Sequence, residues 1–258
     1  MSQGFSIIPV AGVPLVAAGA DLAGLIFNAI EQDGHTLQDG DIVCVAQKIV
    51  SKAEGQLIAL ASVTPSQQAV DLALETDKDP RLVQLILDES DEVMRKKPGV
   101  LIVRHRLGMV GAHAGIDQSN VDHGDEERAL LLPKNPDNSA AQLKRELETS
   151  SGMRLGVIIT DSHNRPWRMG TIGAAIGSAG ITVLDDHRGG QDIYGRELKV
   201  TLINRADAIA AATTLAMGET TEKIPVAIFR GYPAEDADET ASQNAALINR
   251  PLDEDLFR

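Results

Sequence analysis

Four apolar runs of strand length, at Ile42–Val45, Val100–Arg106, Leu155–Thr160 and Val226–Phe229, are separated by stretches of helical periodicity that never settle into a regular strand–helix–strand repeat. Runs of four to seven residues are too short for buried helices, so they predict interior strands. Residues 21–32 start at Asp21, a good N-cap, and place Leu22, Leu25, Ile26, Ala29 and Ile30 on one helical face before Gly34 stops the turn. Ser66–Leu74, Arg81–Met94 and Ala206–Met217 read as further helices, the second carrying Leu82, Leu85, Ile86 and Val93 on one side. Leu198, Val200 and Leu202 alternate as a half-buried strand should. Mixed strands and helices without βαβ order predict an α+β fold rather than a doubly wound sheet. The segment LLLPKNPDNS, with two prolines and an Asn/Asp cluster, is the expected place for a subdomain hinge, near 133–139.

Composition narrows the functional classes. Aromatic residues are only 3%, so the core must be built from Ile, Leu, Val and Ala, and platforms for stacking bases are scarce. There are 24 Lys and Arg against 37 Asp and Glu in 258 residues, a formal charge of −13. That balance is wrong for a general nucleic-acid binder and unfavourable at an anionic membrane surface. An anionic substrate would need a local pocket of basic groups or metal ions. No run of eighteen apolar residues exists and the N-terminus lacks a basic, cleavable leader pattern, so a cytoplasmic protein is expected. Cys44, the only cysteine, sits in the apolar string Ile42-Val43-Cys44-Val45 and reads as a small core thiol.

Three acids stand at the ends of these elements: Asp117 in GIDQSN, Asp161 directly after the run LGVIIT, and Glu219 after Met217-Gly218. Acids in such positions can converge on one site, and an oxygen-only donor set suits Mg2+ or Mn2+ rather than zinc. Two carboxylates about 4 Å apart repel by roughly 4 kcal/mol at an effective dielectric of about 20, so a cluster needs a proton or a cation. Asp161 as a helix cap or turn residue, and Asp117 as an Asx turn, explain the same positions. In VCVAQKIVSKAEGQ a predicted strand runs out into Gln47, Lys48, Ser51 and Lys52, where lysines can reach phosphate oxygens or simply be solvated. Gly170, Gly173, Gly177 and Gly180 match neither the dinucleotide-binding nor the P-loop spacing, and a close-packed helix accounts for them as well as a phosphate loop does. Zinc-hydrolase and serine-triad spacings are missing. His163, beside Asp161, is the histidine best placed for function, with a satisfied structural imidazole as the alternative.

Five strings, IVSKAEG at 49–55, HAGIDQSNVD at 113–122, LGVIITDSHNRPWRMG at 155–170, GGQDIYGREL at 189–198 and AMGETTEKIPVAIFRG at 216–231, resemble the coenzyme F420-0:L-glutamate ligases, or F420 gamma-glutamyl ligases. They occur in family order over roughly residues 5–232. The resemblance implies a GTP-dependent ligase that adds L-glutamate to coenzyme F420-0 and then to the growing γ-glutamyl tail, on an unusual two-part α+β fold forming an intertwined homodimer. It implies that Asp117, Asp161, Ser162 and Glu219 hold two divalent ions, Mg2+ or Mn2+, with K+ as a further ion. Asp117, Asp161 and Lys52 are then the residues central to the chemistry. The nucleotide falls to Val13, Pro14, Leu15, Val16, Gln47, Lys52, Asn120 and the stretch Met217, Gly218, Glu219, Thr220, Thr221, Glu222, Lys223 and Ile224. Relatives often carry Thr or Ser at the position of Ser162 and Gln or Glu at that of Glu219, where a charged Glu strengthens divalent binding. On this reading residues 1–232 form the ligase domain and 233–258 a C-terminal helical tail, without the nitroreductase-like second domain of some relatives. Rival expectations are a same-fold amide ligase with another carboxylate acceptor and a non-catalytic GTP-binding module.

Overall fold

The structure is a computed structural model and describes residues 4–164, 167–231 and 243–255. In chain order its regular elements are β1 (Ser6–Pro9), α1 (Leu22–Gln32), β2 (Ile42–Ala46), α2 (Gln47–Ala53), β3 (Leu57–Ala59), α3 (Gln67–Thr76), α4 (Pro80–Asp88), β4 (Ser90–Lys97), β5 (Val100–His105), β6 (Val110–Ala112), β7 (Arg128–Leu130), α5 (Pro136–Ser151), β8 (Gly156–Asn164), β9 (Thr171–Ala179), β10 (Leu184–Asp186), β11 (Leu202–Asn204), α6 (Arg205–Met217) and β12 (Val226–Arg230). The α+β expectation holds.

A five-stranded sheet in the order β1-β12-β2-β8-β9 forms the centre. Its β2–β8 pair is parallel and the other pairs are antiparallel. The apolar runs are continuous because both faces of this sheet are covered. Val43, Val45, Val157, Ile159, Val226 and Ile228 point to a core made with α1, α2 and α5. Ile42, Cys44, Ile158 and Phe229 point the other way, onto Ala206, Ile209 and Ala210 of α6. Cys44 is fully buried, as a core thiol, and burial pushes its pKa up to about 12 against a hydrogen bond with Thr213.

Residues 57–131 build a second core from α3, α4, β5 and the segment around Ala114 and Ile116. Its entrance and exit are paired, Leu57 opposite Leu130 in the β3–β7 ladder. The chain then passes Pro136 at the start of α5, whose N-cap is Asn135.

Three sequence expectations change. The helix expected over Arg81–Met94 ends at Asp88, and Ser90–Lys97 is strand β4, paired with β5 across the Pro98-Gly99 turn. Val93 sits opposite Val103, a long-range pairing that overrides the helical spacing. Of Leu198, Val200 and Leu202 only the last lies in a strand; Leu198 closes a turn with Gly189 and Gly190, and Val200 is exposed. Gly173 and Gly177 lie in strand β9, not in a helix. A register shift opposite Ile159 and Thr160 turns Ile176 and Gly177 toward α5 while Gly173 faces α6. Of the expected helical tail 233–258, residues 233–242 and 256–258 lie outside the described residues, and 243–255 carries two short 3-10 turns, Ala245–Ile248 and Leu252–Glu254. No helix among the described residues is long and apolar enough to cross a membrane.

Candidate active site

Adjacent parallel strands leave a sheet at the same edge, and β2 and β8 do so with the site residues just beyond. The end of β2 becomes α2 without a break, so Gln47, Lys48, Ser51 and Lys52 stand on one short helix rather than on a loop. Lys48 and Lys52 are four residues apart and share a face. Both reach the 117–120 loop: Lys48 Nζ lies 2.5 Å from Asp117 Oδ2, and Lys52 Nζ donates to the Asn120 carbonyl at 2.9 Å. Buried Gln47 accepts a 2.9 Å hydrogen bond from Ser51 Oγ.

Asp117 follows the 3-10 turn His113–Gly115 and bridges to Leu130, which seats its loop on the second core. Its Oδ1 accepts from the Ser119 amide at 2.7 Å and its Oδ2 from Ser119 Oγ at 2.8 Å, so the Asx turn is present together with the lysine contact. Burial pushes the Asp117 carboxyl up, but Lys48 and Ser119 outweigh it and leave the group below the usual carboxylate range. Asn120, with φ of +54°, turns the chain so that its Nδ2 donates to the Thr220 carbonyl at 3.2 Å.

Asp161 and Ser162 are not at a cap or turn; they continue strand β8, paired with Ala174 and Gly173. Asp161 prolongs the row of Val157 and Ile159, which faces α2. Burial, with a smaller contribution from Asp117, pushes its pKa up to about 6 against the opposing pull of His163, the Ser162 amide and Lys48. Lys52 is lowered by burial and by Lys48, with Asp122 opposing. His163 Nε2 donates to the Val110 carbonyl at 2.9 Å, so β8 is tied to β6 of the second core. Gly111 makes room for that ring, since a Cβ there would come within 3.2 Å of His163 Cε1. Glu219, just past α6, accepts from Thr171 Oγ1 at 2.8 Å.

Of these groups Gln47, Lys48, Asp117, Ser119, Asp161, Ser162, His163 and Glu219 line a cleft of about 330 Å3 between the two cores, whereas Lys52 and Asn120 lie outside its lining. The other nucleotide positions of the resemblance are arranged around it. Asn120 and Thr220 are joined by their hydrogen bond, and Glu222 folds back onto Thr220. Met217 is buried at the end of α6, while Gly218, Thr221, Lys223 and Ile224 belong to the segment leading into β12. Val13 and Val16 pack on the main core, Leu15 is exposed, and with Pro14 they lie outside the cleft lining. Opposite stands a wall of His105, Met109 and His113–Ile116, of which only 113–116 falls in one of the five strings. Its other mark in the sequence is the run of glycines at 108, 111 and 115.

The donor chemistry of the cleft fits a hard divalent ion: carboxylates of Asp117, Asp161 and Glu219 and the hydroxyl of Ser162, without thiolate. Among the described residues, however, no three His, Cys, Asp or Glu groups stand in metal-holding proximity. Asp117 is engaged by Lys48, and Glu219 by Thr171.

Comparison with known proteins agrees with the five strings. Residues 12–231 match the family described as F420-0:Gamma-glutamyl ligase. The Coenzyme F420:L-glutamate ligase of Methanothermobacter thermautotrophicus is 45% identical over 256 residues, 99% of this chain and 100% of that one. The protein of the same name from Methanopyrus kandleri is 44% identical over 249 residues, 95% of this chain and 96% of that one. That from Archaeoglobus fulgidus is 42% identical over 225 residues, 87% of each. With the cleft strings lying in the same span as the family match, this chain belongs to the F420-0:gamma-glutamyl ligase family.

Proposed function

We propose that this chain is a cytoplasmic, GTP-dependent ligase that joins L-glutamate to coenzyme F420-0 through an amide bond and extends the γ-glutamyl tail. The supporting observation is the assembly in one cleft of Lys48, Asp117, Asp161, Ser162 and Glu219, in a chain whose relatives are named for that coupling.

A carboxylate oxygen is a poor leaving group, so the acid must first be activated. The γ-phosphoryl group of GTP passes to the terminal carboxylate of the acceptor, releasing GDP and leaving an acyl phosphate. The α-amine of glutamate attacks the acyl carbon, inorganic phosphate departs with the bonding pair, and the amine gives up its proton. Such a sequence depends on alignment and on neutralised phosphate charge rather than on a covalent enzyme intermediate. Lys52 steadies the phosphate groups. Asp117, Asp161, Ser162 and Glu219 would hold Mg2+ or Mn2+, with K+ as a further ion, and such ions supply positive charge against the phosphate oxygens. The 117–120 loop and the Met217–Ile224 stretch, joined through Asn120 and Thr220, frame the nucleotide.

A homodimer belongs to the same proposal. Ile193, Tyr194 and Val200 of the excursion between β10 and β11 are each more than 80% exposed, an apolar arm that calls for a cover. A second copy of the chain supplies it.

The test is mass spectrometry of the product formed by purified protein from GTP, glutamate and F420-0, with GDP followed in parallel. A glutamylated product and glutamate-dependent GDP release are expected. GTP binding without glutamate-dependent turnover would favour a binding module, and turnover with another acid but not with F420-0 would move the acceptor.

A further inference from the structure

Lys48 holds Asp117 more completely than a phosphate-seeking lysine needs to. Its Nζ lies 2.5 Å from Asp117 Oδ2, 3.0 Å from Ser119 Oγ and 3.2 Å from the Ser119 carbonyl, so three oxygens surround one ammonium. Ser119 donates from both its amide and its hydroxyl to the same carboxylate, which leaves both Asp117 oxygens occupied. The pair is partly shielded, with 27% of the Lys48 side chain and 37% of that of Asp117 exposed, and charge-assisted hydrogen bonds strengthen as water is withdrawn. Glu219, the acid expected to act with Asp117, is engaged by Thr171. In this arrangement the oxygens are individually satisfied and do not stand together as a metal site.

We infer that the Lys48 ammonium is a built-in occupant of the cation position at Asp117, which a divalent ion must displace before Asp117 can act as its ligand. This rests on the proposed ion-binding role of Asp117. Both cations seek the same carboxylate oxygens, so the free energy of ion binding includes the cost of detaching Lys48. The 117–120 loop does not depend on that contact alone. Lys52 holds the Asn120 carbonyl, and Asn120 holds Thr220, without using the Asp117 carboxylate. The lysine can therefore leave Asp117 while the loop stays in place.

The experiment measures Mn2+ binding to the full chain without nucleotide, from the loss of the free-ion electron paramagnetic resonance signal. Lys48→Met keeps the length of the side chain and removes the competing charge, and is expected to bind Mn2+ about tenfold tighter than wild type. Lys48→Arg, which retains a fixed charge able to fork onto Asp117, should bind Mn2+ no tighter than wild type. Lys52→Met removes a neighbouring charge that does not touch Asp117, and should gain less than about threefold through the general field. Unchanged or weaker affinity in Lys48→Met, a gain in Lys52→Met equal to that in Lys48→Met, or tighter binding in Lys48→Arg would each overturn the inference. If wild type binds Mn2+ in an Asp117-dependent way and Lys48→Met does not differ from it, the inference falls while the ion-binding role of Asp117 stands. If neither wild type nor Lys48→Met binds Mn2+, both fall.

Discussion

Replacing Gly177 by Ala tests how tightly the central sheet is clamped to α5. A Cβ at this position would lie 2.7 Å from Pro136 Cβ and closer still to the Pro136 carbonyl. Carbon atoms at rest sit about 3.5–4.0 Å apart, so the first turn of α5 must retreat by about 1 Å. That turn has little freedom. Asn135 caps it through the Asn138 amide at 3.0 Å, and Asp137 Oδ1 accepts from Ser178 at 2.9 Å and from Ala245 at 2.8 Å. Overpacking costs about 1–3 kcal/mol, and loosening the two Asp137 bonds adds about 1 kcal/mol each. Removing a glycine from a strand interior returns about 0.5–1 kcal/mol, which leaves a net loss of about 3 kcal/mol. For a chain of this size that lowers Tm by about 6–12 °C. Gly152→Ala is the matched comparison, because nothing lies within 4 Å of a Cβ there but φ is +72°. Its cost is the left-handed penalty of about 1–2 kcal/mol. Thermal melts of both variants, followed by circular dichroism, should rank Gly177→Ala as the more damaging. Equal melting of Gly177→Ala and wild type, or the reverse ranking, would refute the packing argument.

Asp161→Asn should lose most glutamylation while retaining the fold, since Asp161 lines the cleft from within strand β8; near-normal turnover with saturating Mn2+ or Mg2+ would remove it from the site. Lys52→Ala should weaken GTP binding more than it slows turnover at saturating nucleotide, as equilibrium binding and steady-state rates can show. Burial pushes Glu89 up, but the nearby His105 imidazole and the hydrogen-bonded Arg106 guanidinium hold the carboxyl below its ordinary value near 4.5. The stability it supplies is therefore complete above that value and is lost as pH falls through the lower folded value. Urea melts between about pH 6 and pH 3 should show the wild-type advantage over Glu89→Gln shrinking toward the acid end, and a constant difference would contradict this. Arg230 spans Asp41 with two bonds, of 2.8 and 2.6 Å, and Asp41 is 1% exposed. Arg230→Met should cost about 3–5 kcal/mol by stranding that carboxylate, and a loss below 1 kcal/mol in the same melts would be inconsistent with it.

What was legible in the sequence was what local patterning decides. The apolar runs of β2, β8 and β12 and the capped helix after Asp21 are where the residues place them, because burial on two faces and a side-chain cap leave direct marks. Strand β4 was hidden because Leu82, Leu85, Ile86 and Val93 keep helical spacing, while the pairing of Val93 with Val103 is a non-local fact. The glycines of β9 misled for a related reason: they answer to Pro136 and Ala210, distant residues whose backbone comes close. In the site, the three acids stand out in the sequence beside apolar or glycine-rich runs, although Asp161 lies inside β8 rather than at its end, and their neighbourhood is not legible. Joining Asp117 to Lys48 requires the 68 residues between them to fold back on themselves, and nothing at either position announces the partner. His105 and Met109, on the far wall of the cleft, carry no such mark, because they become neighbours of the acids only when the second core closes against the sheet.

The paired entrance and exit of residues 57–131 give this molecule a built-in point of failure. Because Leu57 meets Leu130, the whole lobe can come undone as a cooperative unit while the central five strands keep their ladder. Such an opening would carry Asp117 and Asn120 off the surface that bears Asp161 and Glu219. On gentle heating, catalytic competence would then fade before most of the β-sheet signal, with the inserted lobe acting as the fuse.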